Sequence, residues 1–367
     1  MWFERMSLEV WFDDYQYRIE NDIGESAVKF LTVEELGIDL NPVALRYGHH
    51  TGEPKLRECI ARQYPGLSAE HIVVTSGASE AIFSLNAAVV KPGDHVIVEH
   101  PNYPSLYDIP ESLGCDVSLY ALQYDKHFKP DLEELEALMT AETRLISFTH
   151  PNNPTGSMIS VAELEALVQF CEDHDVYLLF DETYRDLDFE NALPPAATLS
   201  PRAISVSTMS KCYGLPGIRI GWLATRDPSI LDAILTIREQ VTITNNALGE
   251  VIALHVLRDR EKYLNKARKH VEANRKLVTE WIENHAAFEW VAPEAGVVGL
   301  PRIKEGIAVD PETLYRRLAE KYKTFAVPGR CFGLDNRHFR LGFGATRDEI
   351  RRGLKNLDSA LAESSAA

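Results

Sequence analysis

The chain has 367 residues, 45% of them hydrophobic and 25% charged, and its 38 basic and 55 acidic residues give a formal net charge of −17. That charge argues against nucleic acid and anionic membrane surfaces as partners, and no apolar run is long enough to cross a bilayer. Five cysteines (Cys59, Cys115, Cys171, Cys212, Cys331) stand singly, so neither a disulfide framework nor a metal site is expected.

The opening stretch MWFERMSLEVWFDDYQYRIE mixes acids and aromatics where an export signal needs a continuous apolar core, so a cytoplasmic protein is expected. From about residue 53 to 241, short β-branched apolar runs alternate with longer segments of helical period. That alternation predicts an α/β fold, a mostly parallel sheet covered by helices. Strands are predicted at HIVVTSG (71–77), DHVIVEHP (94–101), DVSLYAL (116–122), RLISFTHP (144–151), VYLLFDE (176–182), AISVSTMS (203–210) and RIGWLAT (219–225). Between them, helices are predicted at EPKLRECIARQY, SEAIFSLNAAVV, VAELEALVQFCEDHD and SILDAILTIREQV. After residue 246 a long charged helical stretch, RDREKYLNKARKHVEANRKLVTEWIENH, leads into a smaller α+β domain. Only the terminal ESSAA is expected to fray.

In such a sheet, ligands bind beyond the carboxyl ends of the strands, and four polar segments fall there. TSGAS (75–79) ends a strand and opens a helix. Its small residues Gly77, Ala78 and Ser79 would let a phosphate reach backbone N–H groups at the positive end of the helix dipole; a plain turn capped by Ser79 is the alternative. HPNNPTG (150–156) sets Asn153 beside Pro154, where an amide is presented at a fixed height or a rigid turn is simply made. In DETYRD (181–186), Asp181 ends a strand and needs a cation or hydrogen bonds to stay ionised, with Tyr184 three residues on. In STMSKCYGLPGIR (207–219), Lys211 follows a strand, and burial beside a second cation such as Arg219 would lower its pKa and favour the neutral, nucleophilic amine. A phosphate cradle, an amide, a carboxylate, a reactive lysine and an arginine together match pyridoxal 5'-phosphate.

With NNPTG, D-x-x-Y and S-x-x-SK-x-x-G-x-x-G-x-R in this order, the sequence resembles fold-type I pyridoxal-phosphate enzymes of the class I/II aminotransferase family, from RYGHHTGEPKLRECIA to FRLGFGA. The resemblance implies a large domain at 36–260 with a seven-stranded sheet, a small domain at 261–367, and an N-terminal segment, 1–35, joined to the small one. It implies Lys211 as Schiff-base lysine and general base, Asp181 on the pyridinium nitrogen, and Tyr184 and Asn153 on the phenolic oxygen. Gly77, Ala78, Ser79, Thr208 and Arg219 would hold the phosphate, and Tyr103 would stack on the ring. Tyr47 would cross to the partner's phosphate in a homodimer, and Arg340 would grip the substrate α-carboxylate.

Two departures concern the substrate pocket. NDIGESAVKFLTVEEL lacks the usual Gly-x-Pro-Asp pattern, and EAGVVGLPRIKEG has small residues where an aromatic is common. The expected activity is transfer of an amino group from an L-amino acid to a 2-oxo acid. The alternatives are β-elimination and cyclisation, or oxidation, of an arginine-type amino acid, since both segments resemble capreomycidine-synthase-like relatives. A non-catalytic pyridoxal-binding regulator is the third, although no basic DNA-binding module accompanies the chain.

Overall fold

The computed structural model describes residues 2–188 and 193–365. Seven strands form one sheet: β1 (Ile72–Thr75), β2 (His95–His100), β3 (Asp116–Ala121), β4 (Thr143–Thr149), β5 (Tyr177–Asp181), β6 (Ala203–Thr208) and β7 (Gly221–Ala224). Their spatial order is β1-β7-β6-β5-β4-β2-β3, and β7 alone runs against its neighbours. Six lie within the runs predicted as strands, and β4 starts one residue ahead of its run, at Thr143.

Central strands read as nearly continuous apolar runs because both faces of the sheet are covered. On one face Val73, Val96, Val98, Leu145, Leu179, Val206 and Leu223 pack against Ile82 and Leu85 of the helix Ala78–Val89 and Ile230 and Ile234 of the helix Pro228–Arg238. On the other, Ile97, Ile146, Phe148, Leu178 and Phe180 meet Leu164, Leu167 and Val168 of the helix Val161–Asp173. That last helix begins with a capping box, Ser160 and Glu163 each bonding the other's backbone N–H.

Two helices run beyond what the sequence pattern suggested. Ser105–Ser112 forms although Pro110 lies inside it, in the last turn. The charged stretch after residue 246 is two helices, Ala247–Arg258 and Arg260–Glu283, parted at Asp259, whose ψ of 39° leaves the helical region. The final helix, Arg347–Ser365, takes in the first three residues of ESSAA; Ala366 and Ala367 lie outside the described residues.

The N-terminal segment is fastened to the C-terminal part of the chain. Asn21–Asp22 pairs in parallel with Thr324–Phe325, and Trp11 Nε1 donates to the Ala326 carbonyl at 2.9 Å. The Gly342 N–H donates to the Ile23 carbonyl at 2.8 Å, at the end of the strand Phe339–Gly342 that carries Arg340. So close an approach requires the missing side chain: a Cβ at Gly342 would stand 2.0 Å from the Glu25 carbonyl oxygen. A Gly342→Ala substitution is therefore expected to destabilise the fold by about 1–3 kcal/mol, read as a lowered urea midpoint. An unchanged midpoint would show that the two segments separate freely.

Candidate active site

Strands β4, β5 and β6 end on the same side of the sheet: the last residues of β4 and β5, Thr149 and Asp181, lie side by side, and Asp181 lies beside Val206, two residues before β6 ends. Asp181 is buried, and its Oδ1 accepts from the Thr183 N–H at 2.9 Å. Burial pushes its carboxyl pKa up, while the Thr183 hydrogen bonds and the Lys211 charge pull the other way. Among the described residues no cation forms an ion pair with it. A carboxylate so placed suits the ring nitrogen of a bound cation.

Lys211 lies just beyond β6. Its Nζ donates to Ser26 Oγ at 2.9 Å and stands 3.6 Å from Glu25 Oε1. The sequence argument expected a lowered pKa here; the structure gives a raised one. Burial does act downward, and so does Arg340, but Tyr184, Glu25 and Tyr103 together outweigh them. Arg340, not Arg219, is the cation that acts on the lysine. The neutral nucleophile is thus not favoured while the amine is free, and the reasons are Tyr184 first and then Glu25, a residue the sequence motifs did not mark.

The phosphate cradle is built around glycines. Gly77, at φ 80°, is the N-cap of Ala78–Val89, and no side chain caps that end; Ser79 lies within the first turn instead of at the cap. The first N–H groups of the helix are therefore open to an anion. The Arg219 guanidinium lies directly over Gly77, where a Cβ would fall 2.5 Å from Nη2, and Nη1 donates to the Pro216 carbonyl at 3.1 Å. Gly221 of β7 lets both β1 and β6 approach, since a Cβ there would stand 2.6 Å from Ala78 N and 2.8 Å from the Ser207 carbonyl. This brings Thr208 to the cradle, its Oγ1 3.0 Å from Ser210 Oγ.

Arg340 is fully buried with neutral partners. Nε and Nη2 donate to the Gly24 carbonyl at 3.1 and 2.7 Å, and Nη1 donates to Asn153 Oδ1 at 3.1 Å. Its charge is offset by no carboxylate ion pair among the described residues, so an incoming carboxylate would gain a charge-assisted, two-pronged contact. Tyr184 is buried and lies beside Ser26. Tyr103 is half-buried between Lys211, Ser79 and Glu9, its hydroxyl donating to Glu9 Oε1 at 3.4 Å.

One predicted residue stands apart. Tyr47 is 80% exposed and joins no cluster within this chain. Four others belong to the site but escaped the sequence reading: Gly24, Glu25, Ser26 and Ser210. Ser210 lies inside the quoted S-x-x-SK motif, which could have named it, whereas the first three sit more than 180 residues from Lys211 in a stretch that departs from the family pattern. The uncapped helix end, the arginine over Gly77, the buried unpaired Asp181 and the amine of Lys211 fit pyridoxal 5'-phosphate.

Comparison with known proteins agrees. The family described as aminotransferase class I and II matches residues 12–357. Capreomycidine synthase of Streptomyces vinaceus is 31% identical over 96% of this chain and 93% of its own. A PLP-dependent aminotransferase from Streptococcus suis superposes with a TM-score of 0.93 at 30% identity, over 99% of both chains. The PLP-dependent cyclase OrfR gives a TM-score of 0.91 at 28% identity, over 99% of this chain and 98% of that one. The chain belongs to the class I and II aminotransferases, pyridoxal-phosphate enzymes of this fold.

Proposed function

We propose that the protein transfers an amino group from an L-amino acid to a 2-oxo acid, with Lys211 as the residue that moves the proton. The observation that carries this reading is the convergence of three charged groups at one strand edge: Asp181, Lys211 and Arg340. Bound there, pyridoxal phosphate supplies an aldehyde for the substrate amine and a ring that holds the electron pair left when the α-proton departs. Asp181 keeps the ring nitrogen charged, which its own burial favours once that cation neutralises it. Arg340 fixes the substrate α-carboxylate and so sets which α-bond faces Lys211. The freed amine of Lys211 would take the α-proton and give it back two atoms along, at the carbon that the cofactor's aldehyde supplies. Asn153 and Tyr184 hold the phenolic oxygen, while the open N–H groups of Ala78 and Ser79, with Thr208 and Arg219, hold the phosphate. Tyr103 covers the ring.

The exposure of Leu45 and Tyr47, 81% and 80%, supports a homodimer in which this loop lies across the partner's site. The pairing of residues 21–22 with 324–325 supports the division into a large domain at 36–260 and a small one formed by 261–367 with 1–35. No helix among the described residues is long and apolar enough to cross a membrane, and we place the enzyme in the cytoplasm.

A second reading, elimination and ring closure on an arginine-type substrate, is favoured by Glu25 and Glu9. Both carboxylates come from the N-terminal segment, one beside Lys211 and the other on Tyr103, where a basic side chain would be matched and an acidic one repelled. The visible spectrum of the holoenzyme under a panel of L-amino acids separates the readings. Bleaching reversed by a 2-oxo acid is expected for transamination. A cyclic amino acid formed from an arginine derivative with loss of its β-substituent, and with neither bleaching nor a 2-oxo acid product, would replace it with elimination and ring closure.

Lys211→Ala is expected to lower turnover by at least about 100-fold with an unchanged circular dichroism spectrum; substantial residual turnover would remove Lys211 from its role. Asp181→Asn should lower kcat by roughly 100-fold, and a rate near wild type would make Asp181 purely structural. Arg340→Lys should raise KM by about 10-fold or more, because an ammonium cannot make the paired contact; an unchanged KM would place carboxylate binding elsewhere.

A further inference from the structure

The N-terminal segment enters the site at a point that the aminotransferase reading does not use. Asp22 Oδ1 accepts from the N–H groups of Gly24 and Glu25, at 2.9 and 2.8 Å, and this turn fixes the direction of the next two side chains. Glu25 Oε1 accepts from the Ser26 N–H at 2.8 Å and stands 3.6 Å from Lys211 Nζ. The buried Ser26 hydroxyl receives the Lys211 N–H at 2.9 Å and lies beside Tyr184, whose pKa it helps to lower. On its other flank the segment is tied to the lysine loop itself, the Val28 N–H donating to the Lys211 carbonyl at 3.1 Å. The serine and the lysine are thus held in a common frame, not brought together by two loose side chains.

We propose that Ser26 and Glu25 are further functional residues that receive the Lys211 amine whenever it is free, Ser26 by direct contact with the nitrogen and Glu25 by holding its charge. The assignment rests on the reading of Lys211 as the amine that joins the cofactor. When a substrate takes its place, the lysine nitrogen is released and needs a polar partner in a buried site. Ser26 is that partner. The nitrogen then carries the α-proton as an ammonium until it is returned, and Glu25 stabilises that charge through the interval. The groups that face the amine are Tyr184, Glu25, Arg340, Tyr103 and Asp181; burial and Arg340 oppose its charge, and the other four favour it. Their sum keeps the free amine charged to a higher pH than an ordinary lysine.

The sign of the effect gives the test. Formation of the lysine–cofactor bond requires the neutral amine, whereas delivery of the proton requires the charged one. Removing the Glu25 charge lowers the amine pKa, and removing Ser26 takes away the acceptor that holds the ammonium N–H, so the two processes should move in opposite directions. Cofactor-free wild type, Ser26→Ala and Glu25→Gln are mixed with pyridoxal phosphate between pH 6 and 10, and the uptake rate is followed at the visible absorption of the bound cofactor. In both variants the uptake profile is expected to shift to lower pH, with faster uptake at pH 7. The steady-state kcat of the loaded enzymes is expected to fall about 10-fold, the equivalent of one hydrogen bond or ion pair to a charged group, with KM for the amino acid nearly unchanged. Circular dichroism and the urea midpoint establish that the variants fold.

Uptake and kcat both at wild-type values would overturn the proposal, since the pair would then not touch the working amine. Both falling together, with a lowered urea midpoint, would also overturn it and make the segment merely structural. Failure of the wild type itself to take up pyridoxal phosphate would instead overturn the cofactor reading on which it rests.

Discussion

Residues 23–31 are hydrogen-bonded on one side to the strand that carries Arg340 and on the other to the loop that carries Lys211. Ile23 accepts from Gly342, Val28 donates to Lys211, and Leu31 donates to the Gly214 carbonyl at 3.0 Å. The contacts are backbone to backbone, and glycines make them possible: a Cβ at Gly24 would meet Phe325 at 2.9 Å, and one at Gly214 would meet the Lys29 carbonyl at 2.4 Å. The distance between the α-carboxylate anchor and the reactive amine is therefore set by main-chain geometry. Side-chain flexibility contributes little to it, which is what precise placement of a substrate α-bond demands.

The electrostatics follow from that seam. Arg340, Lys211 and Asp181 are charged groups withdrawn from bulk water, and each would be costly alone. The segment offsets part of the cost with the Gly24 carbonyl for Arg340 and with Ser26 and Glu25 for Lys211. Asp181 is left to its Thr183 hydrogen bonds. The remaining imbalance is complementary to the ligands: a cationic ring nitrogen for Asp181, and anionic phosphate and carboxylate groups for the open helix end and Arg340. Unsatisfied charge here measures what the site is built to receive.

The sheet was legible in the sequence because strands buried on both faces must be continuously apolar and β-branched, and the turns between them carry polar punctuation. Lys211, Asp181 and Asn153 drew notice for a related reason: Asp181 ends its strand, and Asn153 and Lys211 follow theirs within four residues. Arg219 was legible as a cradle residue but misread as the lysine's neighbour, because a spacing of eight residues does not reveal that the chain turns at φ 51° and sends the guanidinium back over Gly77. Glu25 and Ser26 were illegible in principle. Their link to Lys211 spans some 185 residues and depends on two close glycine contacts, and no local period encodes such a pairing.

That asymmetry bears on how one fold can host different reactions. In the proposed mechanism the residues at and just after the strand ends would hold the cofactor, and that task is common to any chemistry that starts by removing the α-proton. What happens next depends on how long the proton stays on Lys211 and on which groups stand beside the substrate side chain. Both are decided here by the N-terminal segment: Ser26 and Glu25 at the amine, Glu9 at Tyr103. A stretch outside the cofactor motifs can change without loss of cofactor binding, and in this chain it places two carboxylates and a hydroxyl where the reaction course is chosen. The segment that lacks the family's usual Gly-x-Pro-Asp pattern is thus the one that brings Glu25 and Ser26 beside the Lys211 amine and Glu9 beside the Tyr103 hydroxyl, and the field of its carboxylates favours a proton held on nitrogen.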